Sequence, residues 1–269
     1  MKPLSKTASD ILNIAGTRVE IKRRGRGRPL LVLHGEDGFE FDLPLIDNLA
    51  KNFEIVSPRM PGFGKTPLPN SINNMDDISY IWLELMDRLD LQNTTVLGFS
   101  VGGWLALEIA TKNTSRIARM ALTGCVGIKF GGPYDRDIED IYFHNAQDVR
   151  ELRFHDPEKD PHLDLSGLNK RQAINLARSR EAIAKVCWEP YFHNPSLRHR
   201  LHRVDVPVHI IWGGKDGMTA PSYGRSLSKA LPRGRFATVP GAGHFPHVEQ
   251  PDRFAAALAD FLTGTKGAR

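Results

Sequence analysis

Short apolar runs recur along the chain, separated by stretches of helical period. LLVLHG at 30–35 and FEIVSP at 53–58 are continuously apolar or β-branched, the pattern of strands buried on both faces. Between them Phe41, Leu45, Ile46 and Leu49 fall at helical spacing. Ile78, Ile81, Trp82, Leu85 and Leu89, three and four apart, predict another helix, followed by a strand at TTVLGF (94–99), a helix over 102–113 and a strand at MALTGCV (120–126). Upstream, residues 11–23 around Gly16-Thr17 read as two short strands joined by a turn. Strands alternating with helices imply parallel pairing through right-handed crossovers, hence a doubly wound sheet.

The alternation stops near Gly127. From there to Arg203 no strand-like run occurs, only charged helical stretches such as 169–186, broken by Pro133, Pro157, Pro161, Pro190 and Pro195. VPVHIIWGG at 206–214 then reads as a buried strand, with a helix at 221–231, a strand at 236–239 and a last helix through Phe254, Leu258 and Phe261. The expected fold class is therefore α/β: a mostly parallel, eight-stranded, doubly wound sheet formed by 1–126 and 204–269, interrupted by an all-helical insertion at 127–203.

Composition narrows the functional classes. With 269 residues, 41% hydrophobic and 25% charged, the chain has globular usage, and its length alone allows one or two domains. The net charge of +5 raises the question of a polyanion partner. Its densest source, Lys22, Arg23, Arg24, Arg26 and Arg28, alternates with glycine and lacks interleaved aromatics, so it reads as a solvated hairpin tip and no nucleic acid is expected. No run of eighteen apolar residues exists for a membrane span, and residues 11–15 are too short for a signal-peptide core. Two cysteines, Cys125 and Cys187, make no disulfide framework, which points to a reducing, cytoplasmic setting.

Open parallel sheets bind ligands at the carboxyl ends of their strands. After the 94–99 strand comes Gly98-Phe99-Ser100-Val101-Gly102, a G-x-S-x-G match. Small residues two before and two after the serine keep Cβ atoms out of a sharp strand-to-helix turn that lifts the hydroxyl clear. Chance supplies about a tenth of such a match, so its place between strand and helix carries the weight. A serine hydroxyl needs a base, and the base an orienting carboxylate. Asp216 in GGKDG follows the strand at 208–212, and His244 in PGAGH follows the strand at 236–239. Three other patterns fail. Gly64-Lys65-Thr66 has Arg59 where a P-loop needs glycine; His244 and His247 are separated by Pro246 with no third ligand; Gly98–Gly103 is not G-x-G-x-x-G. No metal and no cofactor are expected.

Taken in order, His34-Gly35, PGFGKT (61–66), GFSVGG (98–103), GGKDG (213–217) and GAGHFPHVEQP (241–251) make the chain resemble the α/β-hydrolase superfamily, in its serine-nucleophile branch with a helical cap. The resemblance implies the roles of Ser100, Asp216 and His244, found in the family's chain order. It also implies an oxyanion hole from the backbone N–H groups of Glu36 and Val101, and a cap formed by 127–203. Glu36 departs from the apolar or small residue usual at its position, and Arg59, standing where aspartate is common, is the expected counter-charge. Dehalogenases and epoxide hydrolases of this fold carry aspartate in place of Ser100, so serine points to attack on a carbonyl. Phe39, Phe99, Trp104, Phe130, Trp188 and Phe245 are candidate pocket residues for an apolar or aromatic small-molecule substrate. The expected function is carboxylic ester hydrolysis through an acyl-enzyme. A C–C bond hydrolase of a dienone or diketone acid, a lactonase and a cofactor-free perhydrolase are alternatives with the same triad, and a small-molecule receptor is the non-enzymatic one.

Overall fold

A computed structural model describes residues 8–39, 42–132 and 134–263. Eight strands form one sheet: β1 (Ala8–Ile14), β2 (Thr17–Arg24), β3 (Arg28–Leu33), β4 (Phe53–Pro58), β5 (Thr94–Phe99), β6 (Ile117–Thr123), β7 (Val208–Gly213) and β8 (Gly234–Val239). Their spatial order is β1-β2-β4-β3-β5-β6-β7-β8. β1–β2 and β2–β4 are antiparallel and every later pair is parallel. The doubly wound, mostly parallel sheet expected from the alternation is thus present.

Period-two alternation along each strand feeds two cores, one per face. Leu31, Leu33, Val96, Met120, Leu122, Ile210 and Trp212 pack on α2 (Met75–Arg88), α3 (Val101–Lys112) and α7 (Pro221–Ala230). Leu30, Val32, Leu97, Phe99, Ala121 and Ile211 face α1 (Leu43–Leu49) and α9 (Pro251–Thr263). Because both faces are covered, all six residues of β5 are buried, which is why this strand reads as continuously apolar. Asn74 and Asp77 close a capping box at the start of α2 and Asn169 and Gln172 another at α5 (Lys170–Val186), so both helices begin where local sequence can satisfy their free N–H groups. Phe41, expected in the helix after β3, lies outside the described residues.

The basic run at 22–28 is not a hairpin tip. β4 lies between β2 and β3, so the two flanking strands do not pair, and the link crosses the entry to β4. A Cβ at Gly25 would stand 2.2 Å from the Phe53 carbonyl oxygen, and one at Gly27 2.6 Å from that of Asn52. Part of the run's charge is paired, Arg23 with Glu54 of β4 and Arg24 with Asp47 of α1.

Between β6 and β7 the described chain forms α4 (Ala146–Arg153), α5 and α6 (Leu197–Arg200), with short 3₁₀ turns at Pro157–Lys159 and Leu201–Arg203. Both ends of the segment are pinned: Gly127 N–H donates to the Phe192 carbonyl, and Asn194 N–H to that of Gly127. The remaining helix, α8 (Pro246–Glu249), follows β8. Among the described residues no helix is long and apolar enough to cross a membrane.

One close backbone joint is where α3 starts. A Cβ at Gly102 would lie 2.2 Å from the Leu33 carbonyl oxygen and 2.5 Å from that of His34, both backbone atoms of the β3 end. Gly102→Ala therefore has to push α3 off the sheet, and urea denaturation should register a loss of about 1–3 kcal/mol.

Candidate active site

Ser100 occupies the turn between β5 and α3 with φ 47° and ψ −116°. A non-glycine residue held there stores roughly 1–3 kcal/mol of backbone strain. The strain is held by the surroundings: Ser100 N–H donates to the Thr123 carbonyl at 2.9 Å, and its own carbonyl accepts from Gly103 and Trp104 at 2.9 and 3.2 Å. Gly98, where a Cβ would meet Gly102 and Gly103 backbone atoms at 2.8 Å, permits the sharpness of the turn.

The hydroxyl so presented meets side chains from two other strand ends. Ser100 Oγ donates to His244 Nε2 at 3.1 Å, and His244 Nδ1 donates to Asp216 Oδ2 at 2.9 Å. The carboxylate acceptor fixes the proton on Nδ1 and leaves Nε2 free to take the serine proton. Asp216 is itself immobilised, its Oδ1 accepting from Met218 and Thr219 N–H and its Oδ2 from Thr219 Oγ. Thr219 was not legible as a site residue, since nothing marks a threonine three residues past the acid. All three principal side chains are 5% exposed or less. Burial pushes the His244 imidazole down, but the charge and hydrogen bond of Asp216, with Glu36 adding to them, hold it above its ordinary 6.5. Burial also raises both thiols, so neither Cys125 nor Cys187 offers a competing thiolate.

The loop after β3 completes the floor. His34, fully buried, donates from Nδ1 to the Gly35 carbonyl and accepts from Met60 N–H at Nε2, tying this loop to the one after β4. Val101 is the first residue of α3, so its N–H has no acceptor within the helix. Glu36 and Arg59 do not form the expected pair. Glu36 Oε1 accepts from Arg153 at 3.2 Å, and Arg153 also pairs with Asp37. Arg59 instead pairs with Glu20 of β2 at 3.6 Å, and Glu20 accepts from Lys65 N–H, so these residues brace the 61–66 turn. Burial would raise the Glu36 carboxyl, yet Arg153, His244 and the Ser100 hydroxyl together hold it below its ordinary value.

Arg153 ends α4, so the segment between β6 and β7 contributes to the site. The Arg153 carbonyl accepts from His244 N–H at 2.7 Å and the Leu152 carbonyl from Gly217 N–H at 3.0 Å. Its guanidinium lies 4.6 Å over the Phe245 ring. Glu249 clamps the same region, accepting from Asp156 and Gly243 N–H. Sequence reasoning missed Arg153, Asp37 and Glu249; an odd carboxylate at position 36 signals a buried cation nearby but not which one.

The candidate pocket aromatics disperse. Phe39 and Phe99 are core residues on the α1/α9 face. Trp104 donates to Glu108 at 3.0 Å and lines a separate cavity of about 270 Å³ with Val186, Glu189, His193 and Arg200. Phe130 packs on Tyr223, and Trp188 is half exposed against Tyr142 and Tyr191. Phe245 packs edge-on against the His244 ring at 5.1 Å and beside Phe154. His247 pairs with Asp42 at 2.9 Å, joining the histidine loop to the chain after β3.

A strained serine on a strand-to-helix turn, linked through histidine to a carboxylate on a doubly wound sheet, defines a hydrolase of the α/β class. Residues 30–257 match the alpha/beta hydrolase family, and the chain belongs to it. Among curated proteins it is similar to a 2-hydroxymuconate semialdehyde hydrolase of Pseudomonas sp. (strain CF600), 23% identical over 92% of this chain and 91% of that protein. It is also similar to a pimeloyl-[acyl-carrier protein] methyl ester esterase of Neisseria meningitidis, 25% identical over 82% and 87%. Its fold matches that of a meta-cleavage product hydrolase from Pseudomonas fluorescens IP01, with a TM-score of 0.77, 20% identity and coverage of 98% and 99%. An esterase from Rhodococcus sp. ECU1013 matches with a TM-score of 0.75, 18% identity and coverage of 97% and 99%.

Three outcomes follow from this geometry. Ser100→Gly should be about 1 kcal/mol more stable than Ser100→Ala in denaturant titration, because glycine adopts the positive φ without strain. In a pH profile of kcat/KM, activity should rise with pH through a limb above 6.5 as His244 loses its proton. Asp216→Asn should move that limb to lower pH and cut kcat by about 10⁴, through loss of the charge and of the Nδ1–H tautomer.

Proposed function

We propose that this hydrolase cleaves a carboxylic ester, or a related acyl bond, of a small apolar or aromatic substrate through an acyl-enzyme on Ser100. The observation that carries this reading is the hydrogen-bonded line Ser100–His244–Asp216, at 3.1 and 2.9 Å. His244 takes the serine proton as Oγ attacks the carbonyl, and Asp216 orients the ring and stabilises the imidazolium. The Glu36 and Val101 amides hold the oxyanion. His244 then returns its proton to the leaving group, and water, activated by the same base, releases the acid.

The segment 127–203 is read as the cap of this site, a role supported by the contacts of Leu152 and Arg153 with the acid and histidine loops. C–C bond cleavage is the second reading, favoured by the similarity to a 2-hydroxymuconate semialdehyde hydrolase. Against it stands the local charge. Glu36 and Asp37 share the Arg153 guanidinium, and Glu36 lies against the Ser100 hydroxyl, which disfavours an anionic group at that point.

A fluorophosphonate probe should label the wild type and not Ser100→Ala; a folded wild type that resists labelling overturns the serine-hydrolase reading. In a panel of 4-nitrophenyl esters, a dienone acid and a lactone, kcat/KM should be highest for a short-chain or aromatic ester.

A further inference from the structure

The carboxylate of Glu36 is unusual in being buried, ionised and incompletely bonded next to a nucleophile. Oε1 is engaged by Arg153, but Oε2, also buried, has no hydrogen-bond partner among the described residues. Arg153 Nε is likewise buried and unpartnered among them. The Ser100 hydroxyl lies against the same carboxylate, but its single proton is directed to His244 Nε2 in the reactive arrangement and cannot serve both acceptors. An ionised carboxylate oxygen is an acceptor only, and leaving it without a donor when buried is costly. The site is therefore short of a donor immediately beside Ser100.

The charge around it says which donor. Glu36 and Asp37 share one guanidinium, with His162 at 3.7 Å from Asp37 as the neighbouring imidazole. Asp216, behind His244, adds a further carboxylate. An anionic substrate group is repelled there, whereas a neutral hydroxyl or an ammonium is drawn in. The backbone N–H of the same residue is the proposed holder of the substrate's carbonyl oxygen, so the side chain reaches groups on the carbon next to that carbonyl.

Resting on the serine-hydrolase reading, we propose that Glu36 is a specificity-determining residue. It accepts a hydrogen bond from a hydroxyl or ammonium group borne on the carbon adjacent to the scissile carbonyl, so the preferred substrates are 2-hydroxyacyl or 2-aminoacyl esters. Arg153 fixes the carboxylate, and its free Nε–H offers the complementary donor to the lone pair of the same hydroxyl.

The test compares 4-nitrophenyl 2-hydroxybutanoate with the near-isosteric 2-methylbutanoate, each rate normalised to hydroxide hydrolysis of the same ester. The wild type should prefer the hydroxy ester by at least about tenfold in kcat/KM, the scale of one hydrogen bond to a charged acceptor. Glu36→Met should bring the preference to near unity, and Glu36→Gln, which keeps an acceptor oxygen, should retain part of it. No preference in the wild type, or one that survives in Glu36→Met, overturns the proposal. Should the methionine variant fail to fold, the wild-type pair and the glutamine variant decide the matter. Fluorophosphonate labelling in parallel separates the two readings. Labelling of Ser100 without a hydroxyl preference overturns this proposal alone, and absence of labelling overturns the serine-hydrolase reading with it.

Discussion

The absence of room for a side chain between the start of α3 and the end of β3 is the constraint on which the site rests. Gly98 and Gly102 let the helix's first turn sit against the Leu33 and His34 carbonyls. That contact forces Ser100 into its positive-φ conformation, aims its hydroxyl out of the sheet and leaves the Val101 N–H uncommitted. Gly124 plays the matching part at the end of β6, where a Cβ would come within 2.9 Å of the His244 ring. Ser100 and His244 thus reach hydrogen-bond distance because backbone packs directly on backbone and ring.

The sheet was legible because burial on both faces leaves an unmistakable pattern, continuous apolar runs such as TTVLGF and LLVLHG. The three principal site residues were legible for a related reason: the turns that project them need glycine at fixed offsets, and those glycines stand in the chain. What stayed hidden came from distant contacts. Nothing local ties Glu36 to Arg153, 117 positions on, and Arg59 looked the better partner only because it belongs to a neighbouring motif. The basic run at 22–28 resembles a hairpin tip for the same reason, since two strands consecutive in sequence admit a third between them only through long-range pairing.

The pocket aromatics show the limit of inference from residue type. Phe39 and Phe99 flank the motifs yet serve the core, and Trp104 turns toward a cavity it shares with His193 and Arg200. Ring-bearing residues next to catalytic motifs are as useful for holding strands to helices as for holding a substrate. Charge was the better guide, because a carboxylate placed where small apolar residues are usual has to be neutralised or used.

The carbonyls of Leu152 and Arg153 hold the N–H groups of Gly217 and His244. Residues 152 and 153 are therefore part of the framework that positions Asp216 and His244, although they belong to a segment inserted between two strands. Cutting out 127–203 would not uncover a minimal catalytic sheet; it would strip acceptors from both loops and slacken the alignment of His244. The insertion is tied to the sheet domain at a second place as well, since Ala182, Ile183 and Val186 of α5 are buried in the main core and Ala182 lies against Gly62 of the 61–66 turn.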